Sequence, residues 1–156
     1  MENQEANIKQ AYSKMTQLCS RSEQCSTDIR KKILAYEIVE EIVDEIIEKL
    51  ISEKYIDDKR YVRAYVNDKF KINKWGKIKM RHYLKMKGLS DEAIQYGLEN
   101  IDEEKYKTLL IKTMKAKART IKSKDKFQKM GQIIRYAQNR GFEPELIHRY
   151  MNLALE

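Results

Sequence analysis

The feature that most constrains this chain is a repeat half hidden in its sequence. When Gly88 is aligned with Gly141, 53 residues further on, residues 77–98 and 130–151 carry similar side chains at matching positions. The matched pairs are Met80 and Ile133, Tyr83 and Tyr136, Leu84 and Ala137, Leu89 and Phe142, Ile94 and Ile147, and Leu98 and Met151. A unit of this size cannot bury its own apolar face, so we expect neighbouring copies to stack on one another.

A third and weaker copy precedes these two. Its apolar residues align with those of residues 77–98 at an offset of 51. They are Ile29, Ile33, Ile38, Val43 and Ile47. The sequence therefore predicts three tandem repeats: residues 1–56 with an N-terminal arm, residues 57–101, and residues 102–156. In the second and third repeats we expect a core formed by Leu84, Ile94 and Leu98 and by their mates Ala137, Ile147 and Met151.

Helical signals run along the whole chain. Only 5 glycines and 1 proline interrupt it, and apolar residues recur at helical spacing in residues 8–19, 39–54 and 58–73. We expect Ser26 or Thr27 to cap a second helix that runs to about Tyr36. The prediction is an all-α protein with three helices in each repeat and an elongated body.

Cap and turn residues mark the ends of these helices. Asp57 is the expected N-cap of the helix that starts at residue 58, Asp58 is favourable in its first turn, and "KWG" forms the following joint. Ser90 and Asp102 are the caps expected further on. Gly88 and Gly141 fit the position just after a helix, where the left-handed backbone favours glycine.

Charge is distributed unevenly, although the whole chain carries +8. Residues 37–58 hold nine acids and two lysines, whereas residues 69–87 hold seven lysines, one arginine and no acid. Residues 105–140 hold nine lysines and three arginines against a single aspartate. Such runs can be solvated helix faces, but the asymmetry favours an interface with a polyanion.

The usual constellations of catalytic and metal sites are missing from the sequence. Cys19 and Cys25 cannot complete a four-ligand zinc site, and His82 and His148 lie far from them. We expect two reduced thiols, with a redox pair as the alternative. We predict no catalytic, cofactor or metal site and no enzyme.

The chain has no apolar run near the ~20 residues that cross a bilayer, and "MENQEANIKQ" lacks a signal-peptide core. We therefore expect a cytoplasmic protein without membrane contact.

Several motifs occur in a fixed order along the second repeat and near the C-terminal end. They are "YIDD" at 55–58, "RYVRAYV" at 60–66, a basic segment ending in glycine at 69–76, "KIKMRHYLKMKG" at 77–88 and "NRGFEPELI" at 139–147. In this order and spacing they resemble the RecX family of bacterial recombination regulators, over residues 27–156. One departure is Glu37, where the first repeat would be expected to carry glycine.

The resemblance implies a curved, elongated body of three tandem three-helix repeats. We also expect the protein to be a monomer. The resemblance also implies a protein that binds the RecA recombinase, lies along its filament on single-stranded DNA and restrains strand exchange and ATP hydrolysis. The charge alone leads to the alternative of a generic helical DNA-binding protein. Only the first hypothesis predicts inhibition of the recombinase at amounts too small to coat the DNA.

The aromatic and acidic residues of the second repeat each have two interpretations. Tyr61, Tyr65 and Phe70 could stack on bases, but their helical spacing with valines favours the core. Trp75, before Gly76, anchors the joint or contacts a partner. Asp57 and Asp58 could bind a metal or act as a catalytic acid pair, although a helix cap with a partner such as Arg60 or Arg63 is the better interpretation.

The basic residues of the second and third repeats are the candidate contacts to a protein partner or to DNA. We expect single-stranded DNA first, and double-stranded DNA as a further partner. Spacings such as 77/81/85 and 115/119/122 predict like charges on one helix face, which a polyanion would neutralise. The candidates are Lys74, Lys77, Lys79, Arg81, Lys85, Lys112, Lys115, Lys117, Arg119, Lys122 and Lys129.

Overall fold

The protein is helical throughout the part of the chain that the structure, a computed structural model, describes (residues 2–156). Nine α-helices and one π-helical turn occur there, and no strand. The helices are α1 (Glu2–Arg21), α2 (Ser26–Leu34), α3 (Glu40–Ser52), α4 (Asp58–Asp68), α5 (Lys77–Met86), α6 (Asp91–Glu99), α7 (Glu103–Thr120), α8 (Lys126–Asn139) and α9 (Pro144–Leu155), with the π-helical turn at Lys69–Asn73. The prediction of an all-α protein built from tandem three-helix repeats is confirmed.

Burial follows the predicted repeat. Leu84, Ile94 and Leu98 are at most 2% exposed, and so are their mates Ala137, Ile147 and Met151. The five apolar residues of the first copy, Ile29, Ile33, Ile38, Val43 and Ile47, are buried as well. The aligned tyrosine Tyr83 is instead 41% exposed. The predicted core is therefore confirmed, and the apolar pattern identified the buried faces of helices in all three repeats.

The turn after the middle helix of each repeat has a left-handed backbone. Gly88 has φ +85° and Gly141 has φ +97°, and Glu37 has φ +60° at the matching position of the first repeat. Glycine adopts this region at little cost, whereas a side chain on Cβ makes it unfavourable. The first repeat thus keeps the turn although it lacks the glycine.

The chain divides into two compact units. The N-terminal unit runs to Ala64 and includes Lys85–Gly97, and the C-terminal unit comprises Tyr65–Leu84 and Leu98–Glu156. In the N-terminal unit, α1, α2 and α3 share one apolar core, in which Ala11 and Met15 of α1 lie with the buried residues of α2 and α3. The helix predicted at 8–19 is longer than expected, because α1 begins at Glu2.

In the C-terminal unit, α7 packs against both α8 and α9. Its buried residues are four apart along the helix: Tyr106, Leu110, Met114 and Ala118. Asp102 caps α7 and Asp125 caps α8 by accepting hydrogen bonds from first-turn backbone N–H groups. Pro144 lies in the first turn of α9, where its missing N–H leaves no partner unsatisfied.

The predicted cap of α2 is wrong. Cys25 occupies the N-cap position without a side-chain hydrogen bond. The backbone N–H of Ser26 donates to the Asp58 carboxylate at 2.8 Å, and its hydroxyl donates to the other carboxylate oxygen at 2.6 Å. The acceptor that the start of α2 needs therefore comes from α4. Sequence spacing could not reveal this, because the two residues are 32 positions apart.

Candidate nucleic-acid and protein interface

The joint between α4 and α5 is held against the turn between α8 and α9, within the C-terminal unit. The Gly76 N–H donates to the Arg140 carbonyl at 2.7 Å, and the Ile78 N–H donates to the Gly141 carbonyl at 2.9 Å. A Cβ on Gly76 would lie 2.3 Å from the Gly141 carbonyl carbon. Gly76 is thus required for the close approach of two backbones.

Trp75 lies at this joint between two cations and a second ring. Its ring stacks on Tyr83 with 5.2 Å between centroids. The ammonium groups of Lys69 and Lys79 lie 4.9 and 4.8 Å from the Trp75 ring. Lys79 also donates to the Asn139 carbonyl at 3.4 Å. Trp75 is half-buried, so it packs within the joint and keeps part of its ring accessible.

Tyr106 connects three helices beneath the same joint. Its hydroxyl accepts from the Lys77 N–H at 2.9 Å and donates to the Glu143 carboxylate at the start of α9. Burial, with the hydrogen bond to Glu143, raises the pKa of Tyr106 above its ordinary value. The phenol therefore stays neutral and fixes the starts of α5 and α9 relative to α7.

Two of the candidate cations of α5 already form ion pairs with neighbouring acidic residues. Lys77 pairs with Glu103 at 3.5 Å, and its ammonium lies 4.8 Å from the Tyr106 ring. Lys85 pairs with Asp91 at 3.0 Å in the N-terminal unit. Arg81 is half-buried between them in sequence. The Lys85–Asp91 pair is exposed, and exposed pairs contribute only about 0–1 kcal/mol, so a phosphate could displace Asp91 from Lys85.

The candidates on α7 separate into two sets. With about 3.6 residues per turn, Lys112, Lys115 and Arg119 lie opposite the buried stripe that contains Leu110 and Met114. Lys117 turns towards α8, and its ammonium lies 5.1 Å from the Tyr136 ring. The face of α7 opposite the buried stripe therefore carries three cations, of which Lys112 and Arg119 are exposed and Lys115 is half-buried.

The last two candidates lie beyond α7. Lys122 follows the helix in the segment before α8 and is exposed, whereas Lys129 lies half-buried on α8. Lys124 and Lys126 are exposed between them in sequence, next to Phe127, which is 83% exposed. Lys122 therefore does not continue the helical row of Lys115 and Arg119.

The two units differ strongly in net charge. The C-terminal unit holds 19 lysines and arginines against 9 aspartates and glutamates, a net charge of +10. The N-terminal unit holds 13 against 15, a net charge of −2. The acids of α3, including Glu40, Glu41 and Glu48, are exposed on the N-terminal unit. Most of the candidate cations thus belong to one compact body, and Lys85 is the exception.

A groove in the C-terminal unit brings together cations that sequence spacing did not group. Four lysines line this groove of about 410 Å³, which we call the Phe70 groove: Lys71, Lys74, Lys105 and Lys112. Its other lining residues are Phe70, Glu104, Thr108 and Leu109. Lys71 and Lys105 were not among the candidates. Lys71 lies in the π-helical turn, which breaks the helical spacing, and Lys105 lies in the first turn of α7, which only the tertiary structure brings to the groove.

The remaining motif residues lie in structural positions. Asp57 accepts from the Arg60 N–H at 3.1 Å and caps α4, while the Arg60 side chain pairs with Glu23. Tyr61, Tyr65 and Phe70 are half-buried beside the fully buried Val62 and Val66. Their rings therefore belong only partly to the core.

The structure gives no metal or reactive-thiol site in its described part. Among residues 2–156, no three carboxylate, histidine or cysteine side chains cluster as a metal site would require. Burial raises the pKa of the thiols of Cys19 and Cys25, which favours the unreactive protonated form. Within the same residues, no helix combines the length and the apolarity needed to span a bilayer.

Comparison with known proteins gives a family match in the middle of the chain. Residues 57–98 match the family model described as RecX, second three-helix domain. These residues fall inside the predicted second repeat, and they contain α4, the joint at Trp75 and Gly76, α5 and all but the last residue of α6.

Two curated relatives bear the name "Regulatory protein RecX". The relative from Clostridium beijerinckii is 26% identical over 121 residues, which cover 76% of this chain and 56% of the relative. The relative from Clostridium botulinum is 28% identical over 95 residues, which cover 60% of this chain and 44% of the relative. The chain therefore spans about half the length of the curated relatives it matches.

Two solved structures share the fold. A crystal structure of regulatory protein RecX matches 94% of this chain and 72% of its own, with a TM-score of 0.83 and 23% identity. The crystal structure of RecX from Lactobacillus salivarius matches 94% of this chain and 96% of its own, with a TM-score of 0.87 and 20% identity. The resemblance to the RecX family that the motifs predicted is thus confirmed, and residues 57–98 are the part of this chain that matches the second three-helix domain of that family.

Proposed function

We propose that this chain is a regulator of homologous recombination that binds a RecA-type recombinase on single-stranded DNA and inhibits its ATPase and strand-exchange activities. The observation that carries the proposal is the match of residues 57–98 to the RecX second three-helix domain, together with two relatives named as regulatory proteins. We propose no catalytic activity and no cofactor for the chain itself.

The distribution of charge supports this role. A recombinase filament presents both protein and DNA phosphate, and the C-terminal unit carries the net positive charge of +10. Its α7 carries Lys112, Lys115 and Arg119 on the face opposite the buried stripe, and Lys112 and Arg119 are exposed. Binding through lysine and arginine releases counterions from the strand, so we expect it to weaken as salt rises.

The charge also favours a second candidate, a generic DNA-binding protein without recombinase specificity. Titrating the protein into a recombinase that hydrolyses ATP on single-stranded DNA separates the two functions. A regulator inhibits hydrolysis when the amount added is far too small to coat the strand. A generic binder inhibits only when free DNA is sequestered, and then added DNA restores full activity.

A further inference from the structure

The Phe70 groove, on the C-terminal unit, is open to solvent and has the volume of a ligand site. Its volume of about 410 Å³ falls within the range of ~300–1,000 Å³ that ligand clefts occupy. The π-helical turn and the residue after it contribute Phe70, Lys71 and Lys74, while the first turns of α7 contribute the opposite wall. Two separate segments therefore form one concave surface.

The charge of this groove selects an anion. Lys71, Lys74, Lys105 and Lys112 line it together with one acid, Glu104. All four lysines are exposed, and the ion pairs of the described residues involve none of them. Four ammonium groups around one concavity repel each other, and a phosphate would relieve that repulsion.

The groove also has an apolar and aromatic side. Phe70 and Leu109 line it and are half-buried, and the Thr108 hydroxyl adds a hydrogen-bonding group. The Phe70 ring stacks on Tyr106 at 6.2 Å between centroids. Tyr106 is buried, and its hydroxyl makes two hydrogen bonds, to the Lys77 N–H and to the Glu143 carboxylate. Because Tyr106 is fixed in this way, it holds the Phe70 ring in place. An aromatic ring beside lysines is the combination on which single strands bind, with bases on the ring and phosphates on the cations.

The backbone at this groove is unusual in two ways. A π-helical turn, Lys69–Asn73, replaces the end of α4, and such turns are frequent at functional sites. Lys74 follows with φ +60°, in the left-handed region. Lys74 is the C-cap of the π-helical turn, a position that left-handed residues often occupy, and this backbone ends the turn at the edge of the groove.

We propose that the Phe70 groove binds one nucleotide of a single-stranded nucleic acid, with the base against Phe70 and Leu109 and the flanking phosphates on the four lysines. This inference rests on the proposed function, which includes contact with single-stranded DNA. It locates that contact at the Phe70 groove of the C-terminal unit. The same chemistry, a base with phosphate, also occurs in free nucleotides such as ATP, and the experiment distinguishes the two sources.

The test measures binding of a fluorescent oligothymidylate by anisotropy over a series of salt concentrations, with no recombinase present. Lys74→Gly with Lys112→Gln removes two charges, and glycine suits the left-handed backbone at position 74. We expect weaker binding and a slope of log K on log salt smaller by ~0.7 for each phosphate that the variant no longer neutralises. Phe70→Leu should weaken binding about 5- to 150-fold, the effect of losing the aromatic ring on which one base stacks. The slope of log K on log salt should stay unchanged, because no charge is removed.

A matched control removes the same charge elsewhere. Lys31→Gln with Lys32→Gln changes two exposed lysines of α2 in the N-terminal unit, and we expect parental affinity and slope. Circular dichroism and thermal unfolding establish that each variant folds. The inference is overturned if the Lys74 and Lys112 variant binds the strand like the parent, or if the control variant loses as much affinity.

Free ATP distinguishes the two sources of the ligand. We expect ATP to leave the oligothymidylate bound at concentrations at which unlabelled oligothymidylate displaces it. Displacement by ATP at the same concentration would assign the groove to a free nucleotide and overturn the single-strand site. Recombinase inhibition is scored separately: groove variants that keep parental strand binding overturn this inference, whereas a parent protein that fails to inhibit overturns the proposed function alone.

Discussion

Glu37 shows at the scale of one residue how a repeat keeps its backbone after its sequence has changed. It has φ +60°, where the other two repeats have Gly88 and Gly141. The left-handed conformation costs a non-glycine residue roughly 1–2 kcal/mol. Glycine has a greater conformational entropy in the unfolded chain, which lowers folding stability by ~0.5–1 kcal/mol. Replacing Glu37 by glycine should therefore recover only part of the cost of the left-handed conformation.

We predict that Glu37→Gly stabilises the protein by about 0.5–1 kcal/mol, because the strain of the left-handed backbone is removed. Urea unfolding followed by circular dichroism measures the change. Glu37→Ala is the control, since alanine removes the charge and keeps Cβ, and it should give no comparable gain. Equal gains from both variants would mean that charge, rather than backbone strain, limits stability here.

Two glycines of the C-terminal unit should respond to alanine in opposite directions. Gly76→Ala places Cβ 2.3 Å from the Gly141 carbonyl carbon, so we predict a loss of about 1–3 kcal/mol, as for an overpacked site. Gly131→Ala in α8 meets nothing within 4 Å and should gain about 0.5–1 kcal/mol. Thermal unfolding compares the two, and a stable Gly76→Ala variant would contradict the close approach of the two backbones.

The sequence predicted the left-handed turn at Gly141 and placed Gly76 at a joint, but it did not reveal the contact that requires glycine at position 76. Gly141 lies just after the helical pattern of residues 130–140, so its left-handed turn could be expected from local spacing. Gly76 has no positive φ. It is required because the backbone of Arg140 and Gly141 approaches it, and that approach depends on the tertiary packing of the C-terminal unit.

At the scale of the element, the π-helical turn explains why Lys71, a residue that lines the Phe70 groove, was not identified from sequence. Helical spacing predicted one helix over residues 58–73, but α4 ends at Asp68 and the chain continues as a π-helical turn. A wider turn moves Phe70, Lys71 and Lys74 away from the face that a 3.6-residue period assigns to them. Hydrophobic periodicity identified the buried stripes correctly because packing requires it, whereas exposed residues carry no such constraint.

The buried hydroxyl of Tyr106 should stabilise the junction of α5, α7 and α9. Tyr106→Phe leaves the Lys77 N–H and the Glu143 carboxylate without this partner, and we predict a loss of roughly 1–3 kcal/mol at pH 8. Tyr12→Phe is the control: it removes a surface hydrogen bond to Glu53 and should cost less. Urea unfolding measures both, and equal losses would contradict the special role of the buried hydroxyl.

The same variant has a signature in pH. Because the folded state raises the pKa of Tyr106 above its ordinary value of 10.0, the neutral phenol stabilises the folded protein fully below that value. This stabilisation is lost as pH rises above about 10, where the unfolded tyrosine ionises first. The stability difference between the parent and Tyr106→Phe should therefore narrow between pH 8 and pH 11. A constant difference over this range would contradict the raised pKa.

At the scale of the whole molecule, family and charge were both accessible from sequence, because motif order and residue counts need no tertiary information. The net charge of each compact unit was not accessible from sequence, because the C-terminal unit joins residues 65–84 to residues 98–156, which are separated along the chain. The sequence placed Lys77 and Lys85 on one row, whereas the structure pairs them with Glu103 and Asp91.

We predict that inhibition depends on the C-terminal unit and its basic face. Replacing Lys112, Lys115 and Arg119 by glutamate should weaken inhibition of the recombinase and reduce its salt dependence while helicity is kept. Replacing Glu40, Glu41 and Glu48 of α3 by lysine is the matched control and should leave inhibition equal or stronger. If only the α3 variant loses inhibition, the interface lies on the N-terminal unit.

The most direct test of the proposed regulatory role is the titration of this protein into a RecA-type recombinase hydrolysing ATP on circular single-stranded DNA. We predict that hydrolysis falls at protein amounts far below those that coat the strand, and that excess free DNA does not restore it. Inhibition that begins only near saturation of the DNA, and that added DNA reverses completely, would contradict a recombinase-binding regulator and leave a generic DNA-binding protein.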